Sequence, residues 1–82
     1  MKSTRHITEY SRTFEIFPFV GEQTRITVNQ SKNGTDGEWL RATINWPALG
    51  SVSVHQAREF ANGIQYATAI ANLLNQGQIP SA

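Results

Sequence analysis

The spacing of apolar residues changes period near residue 50. Between Gly50 and Gln76, Ala57, Phe60, Ile64, Ala67, Ala71 and Leu74 recur at alternating steps of three and four. That places them on one stripe of a 3.6-residue helix. Ser53 and Gln56 stand at capping-box spacing, the hydroxyl accepting from the first-turn N–H groups while the Gln side chain returns the bond, so one long helix is expected from Val54. Gly77 and Pro80 mark its end. Tyr66, Ile70 and Leu73 form a second apolar group, roughly 120–180° around the helix at 100° per residue. A small sheet on one side leaves that group uncovered, so these three residues are the expected oligomer interface.

Before the helix the period is two. From Tyr10 to Val20, Phe14, Ile16 and Val20 fall on one face and Glu15, Phe17 and Phe19 on the other. Pro18 donates nothing to a ladder, so this strand is an edge, bends or ends there. From Glu22 to Gln30, Ile26 and Val28 alternate inward against Arg25, Thr27 and Asn29 outward. From Glu38 to Trp46, Leu40, Ala42, Ile44 and Trp46 share one face and Trp39, Arg41, Thr43 and Asn45 the other, with Pro47 as terminator. Between the last two runs, Asn33-Gly34 and Asp36-Gly37 signal an exposed hairpin loop.

Residues 1–9 are polar with a single branched aliphatic, Ile7, and read either as a flexible arm or as an extension of the first strand. Residues 77–82 read as a loose tail. The predicted fold is α+β: a three-stranded antiparallel meander with one long C-terminal helix packed on one face, in a single domain spanning 1–82.

Composition narrows the function. Seven Lys+Arg against six Asp+Glu leave a formal charge of +1, without the basic excess that makes phosphate binding a default. Charged residues are only 16% of the chain, against an average of about 25%, a composition suited to a surface that is covered by a partner. Without cysteine, disulfides and thiolate metal sites are excluded. No apolar run approaches a membrane span and the first ten residues lack a secretory apolar segment, so a cytoplasmic protein is expected. The glycosylation patterns Asn29-Gln30-Ser31 and Asn33-Gly34-Thr35 then have no consequence.

Catalysis finds no constellation. His6 and His55 have no Cys, Asp or Glu at ligand or triad spacing, and the carboxylates Glu9, Glu15, Glu22, Asp36, Glu38 and Glu59 are scattered. No Lys follows Gly34 and Gly37 in the manner of a phosphate loop. Neither enzyme activity nor a cofactor or metal is expected. On the face of the sheet away from the helix, the alternation places Phe17, Phe19, Arg25, Trp39 and Arg41, an aromatic and arginine mixture typical of partner contacts. The same mixture on a sheet also stacks bases, and cross-strand cation–π packing alone would account for Trp39 and Arg41.

The run NWPALGSVSVHQAREFANGIQYATAIA, from Asn45 to Ala71, resembles an ending found in small proteins of bacteria, phages and mobile elements. There a strand closing on Trp is followed by a G-S-V-S cap and an A-R-E-F-A helix. The resemblance spans roughly a third of the chain and carries no catalytic residue. It implies an accessory protein that binds and blocks a host protein, defence complexes included. The expected function is therefore protein interaction, with small nucleic-acid binder and structural oligomer building block as the alternatives. The expected partner is another protein, together with a second copy of the chain, and no membrane.

Overall fold

Pro18 sets the length of the sheet. Because it has no N–H to give, the strand approaching it ends at Phe17, paired with Lys2 at the far end of the neighbouring strand. The computed structural model describes residues 1–81. It contains β1 (Lys2–Ile7), β2 (Ser11–Phe17), β3 (Ile26–Ser31), β4 (Thr43–Asn45) and the helix α1 (Val54–Asn75). All pairings are antiparallel, in the order β1-β2-β3-β4, so the strand order follows the chain.

The architecture is α+β as expected, with four strands rather than three. The added one is β1, built from the residues read as an arm or as a continuation of the first strand. It is neither: Thr8 to Tyr10 reverse the chain, with the Thr8 N–H on the Ser11 carbonyl at 2.8 Å and the Thr8 hydroxyl accepting from the Tyr10 and Ser11 N–H groups. Of the predicted tail, Gly77 to Ser81 follow the helix without regular structure, and Ala82 lies outside the described residues.

Phe14, Ile16, Ile26 and Val28 point from β2 and β3 toward the helix and meet Ala67, Ile70, Ala71 and Leu74. Fully burying a side chain of the size of Phe14, Ile16, Ile26 or Leu74 contributes about 1.5–3 kcal/mol. The helix lies chiefly across β3, reaches β2 and β4, and makes no contact with β1 among the described residues. It can lie this close because of Gly63. A Cβ there would stand 2.8 Å from the Ile26 Cδ1 and 3.2 Å from the Pro18 Cβ.

Both ends of α1 follow their sequence signals. The Ser53 Oγ accepts from the Gln56 N–H at 3.0 Å while the Gln56 Oε1 accepts from the Ser53 N–H at 3.1 Å. At the other end the Gln78 N–H bonds the Leu73 carbonyl at 2.9 Å and the Gly77 N–H bonds that of Leu74 at 3.0 Å, a Schellman ending. Gly77 supplies its φ of +81°.

Ile70 does not sit where the second apolar group was expected. It is 3% exposed and belongs to the core, so it is not available as an oligomer contact. At 100° per residue Ile70 lies only about 40° from Leu74. The buried face is centred on Ala67 and Leu74, closer to Ile70 than the predicted stripe, and Ala57 at the other margin is exposed. Tyr66 is exposed and Leu73 half-buried.

Candidate functional site

The five residues expected on the open face of the sheet do not share it. Phe17 and Arg25 are there, grouped around Glu15: the Arg25 guanidinium pairs with the Glu15 carboxylate, and both Arg25 and Lys2 lie over the Phe17 ring. The rest of that face is short and polar. Thr4 donates to Glu15 at 3.1 Å and Thr13 to Asn29 at 3.1 Å, with Thr27, Thr43 and Asn45 alongside. The hydrogen bond from Arg25 is the main cause that holds the Glu15 carboxyl below its ordinary value; partial burial opposes it, and Thr4 and the charge of Arg25 add to it.

Phe19 is buried, 5% exposed, and stacks on Phe60 with ring centres 6.4 Å apart. The strand period stops at Pro18, and the turn closed by the Glu22 N–H on the Phe19 carbonyl swings Phe19 under the helix. Val20, expected inward, is exposed instead. Trp46 meets the other side of this cluster edge-on, 6.0 Å from Phe60.

Trp39 lies on the helix side of the sheet, the reverse of its expected face. The strand predicted from Glu38 to Trp46 is interrupted. Asn29 pairs with Thr43 and Lys32 with Trp39, so three steps along β3 stand against four along the partner segment. One extra residue in an antiparallel pair flips the side chains beyond it to the opposite face. The break is stabilised from the helix: the Ala42 N–H, lost to the ladder, donates to the Asn75 Oδ1 at 2.8 Å.

This displacement builds a constellation at the C-terminal end of α1. Gln30, 3% exposed, accepts from the Arg12 Nη1 at 3.0 Å and donates through Nε2 to the carbonyls of Leu40 at 2.9 Å and Leu74 at 3.3 Å. Arginine only donates and carbonyls only accept, so these partners fix the orientation of the amide. The Arg12 guanidinium carbon is 3.7 Å from the centre of the Trp39 ring, and the Lys32 Nζ is 5.4 Å from it. Among the described residues, the Arg12 Nε is buried without a hydrogen-bond partner. Arg12, Glu38, Trp39, Leu40, Arg41 and Asn75 line a groove of about 350 Å³ here. Of the predicted site residues, it unites Trp39 and Arg41.

Arg12, Gln30 and Asn75 were missed because polar residues near strand and helix ends read as solvent-facing. The signal was nonetheless present: Arg12 shares parity with Phe14 and Ile16, and Gln30 with Ile26 and Val28. Arg12, Lys32 and Arg41 around the Trp39 indole, with Glu38 beside them, form a surface chemically suited to carboxylates, phosphates or aromatic rings through ion pairing and cation–π contact.

A second surface is defined by what it lacks. Beyond Glu59 the helix carries no charged residue. Its outward ridge presents Ala61, Gln65, Ala69, Asn72 and Gln76, all exposed, with Tyr66 beside them. No helix among the described residues is long and apolar enough to cross a membrane. Nor, among them, do three His, Asp or Glu side chains meet where a metal ion could sit. No protein-family model, curated protein or solved structure matches the chain.

Proposed function

We propose that the chain is a non-enzymatic protein-interaction module whose contact surface is the outward face of α1. The observation that carries this is the outward ridge of the run from Ala61 to Gln76, where Ala61, Gln65, Ala69, Asn72 and Gln76 face solvent without a charge over about four helical turns. Depletion of charge is the compositional mark of the buried centre of a protein contact, whereas a nucleic-acid surface requires cations there. The resemblance of its last third to accessory proteins of phages and mobile elements extends the proposal: a cytoplasmic inhibitor of a host protein, including a host defence complex. Self-pairing along the same ridge is the variant in which a second copy is the partner.

The test compares wild type with a Gln65→Glu, Ala69→Glu double variant in pull-downs from bacterial lysate. Both substitutions are at exposed positions, so the fold is expected to survive them, which a thermal melt checks. The expected result is a partner captured by wild type and lost with the variant, with binding that changes modestly between low and physiological salt. Equal capture by both proteins would reject the helix face.

The aromatic and basic groove favours a second reading, nucleic-acid binding, in which Trp39 stacks a base and Arg12, Lys32 and Arg41 meet phosphates. That reading expects affinity for a single-stranded oligonucleotide to fall steeply with salt and to vanish in Trp39→Ala.

A further inference from the structure

We infer that the outer edge of β1 is a docking site for an extended acidic segment of another protein, which adds to the sheet as a fifth strand. Antiparallel ladders alternate between residues whose main-chain groups face one neighbour and those that face the other. The Thr8 N–H bonds the Ser11 carbonyl, so Thr4 and His6, in step with Thr8, are turned toward β2. Ser3, Arg5 and Ile7 therefore direct their N–H and C=O groups outward, where none of the described residues forms a strand, although the Arg5 guanidinium also donates to the Pro80 carbonyl at 3.4 Å. The other edge offers far less: β4 is three residues long, and only Ile44 faces away from β3.

Charge selects the occupant. The strand carries Lys2 and Arg5 and no carboxylate, Lys2 on the outer face opposite Phe17 and Arg5 on the helix side opposite Phe14. A second copy pairing across a two-fold axis at Arg5 would set that guanidinium against itself, which opposes self-addition in that register. An acidic strand gains an opposite charge beside Lys2 on the outer face, or beside Arg5 on the helix side, while its main chain completes the ladder. A hollow of about 490 Å³, walled by Met1, Lys2, Phe17, Phe19, Val20 and Glu22, opens beside the first residues of β1 and has room for an apolar side chain at the end of the added strand. This surface is separate from the helix ridge, which does not reach β1.

The test uses the full chain with two blocked seven-residue peptides, one alternating Val with Glu and one alternating Val with Lys, read by amide hydrogen exchange. Saturating Glu peptide is expected to slow exchange at Ser3, Arg5 and Ile7 at least tenfold, with no such change from the Lys peptide. Lys2→Glu combined with Arg5→Glu, or Lys2→Ala combined with Arg5→Ala should the first variant fail to fold, is expected to abolish the protection. Equal effects from both peptides, or none from either, would overturn the proposal. So would equal binding of a Glu peptide N-methylated along its backbone, since side-chain charge alone would then account for it. Protection that appears without peptide and rises with protein concentration would assign the edge to a second copy instead.

Discussion

Arg12 and Trp39 meet on the helix side of the sheet, the guanidinium carbon 3.7 Å from the ring centre, although Trp39 alternates with residues of the opposite face. The contact exists because one extra residue separates Trp39 from β4. Trp39→Ala removes this cation–π pair and part of the groove wall, so a loss of about 1–3 kcal/mol in urea denaturation is expected, with the fold retained. Trp39→Phe keeps an aromatic face and is expected to recover part of the loss. Unchanged stability in Trp39→Ala would mean that the ring contributes nothing to holding the bulged segment.

Gly63 is the point of closest approach between helix and sheet. Alanine there gains about 1 kcal/mol of helix propensity but meets Ile26 and Pro18, so Gly63→Ala is expected to be near neutral or destabilising. Valine has no compensating gain. Gly63→Val is expected to lower stability by about 2 kcal/mol or more, seen as a fall in Tm of roughly 10 °C for a chain of this size. A Tm equal to wild type would contradict the packing of α1 on β2 and β3.

Removing the capping acceptor tests the helix start. Ser53→Ala is expected to cost about 0.5–2 kcal/mol, and Ser53→Asp to restore most of it, because a carboxylate accepts the same bonds and complements the helix dipole. Thermal melts of the three proteins decide this.

Glu15 gives the protein a small acid-side dependence. Its carboxyl titrates lower in the folded chain than in the unfolded one, chiefly through the hydrogen bond from Arg25. The resulting stabilisation is present above the unfolded glutamate value of about 4.3 and disappears as pH falls through the lower folded value. The pair faces solvent, so its amplitude is expected to be below about 1 kcal/mol. Stability curves of wild type and Glu15→Gln should differ at pH 7 and converge well below pH 4. Parallel curves would show that the pair is not felt.

Self-association is tested by light scattering. If a second copy covers the helix ridge, wild type at about 100 μM scatters as a dimer or larger, well above the ~1 μM dissociation constant of a modest specific interface. Gln65→Glu with Ala69→Glu then gives a folded monomer. Ile70→Lys is expected to unfold the protein, since Ile70 belongs to the core. A monomeric wild type rejects self-pairing along the ridge.

The helix was legible almost to the residue because its signals are local: a capping box, a glycine past the end and a regular apolar stripe. The inward faces of β2 and β3 were equally readable from alternation. What escaped depends on events that alternation does not record. Pro18 ended one strand early and turned Phe19 inward, an added residue before Thr43 reversed Trp39, and β1 formed from residues with little apolar content. The polar tie of Gln30 to Arg12, Leu40 and Leu74 joins segments that have no spacing relationship in the chain.

A sheet whose strand order follows the chain also sets the order in which the molecule assembles. Each strand closes a short loop onto the one before it, at low entropic cost, while the Gln30–Leu74 bond spans 44 residues and waits for the helix. If the meander forms first and α1 docks after the barrier, weakening the loop between β3 and β4 slows refolding. Disturbing Gly63 or Leu74 instead chiefly hastens unfolding. The grip of the helix would then determine how long the native state survives once formed.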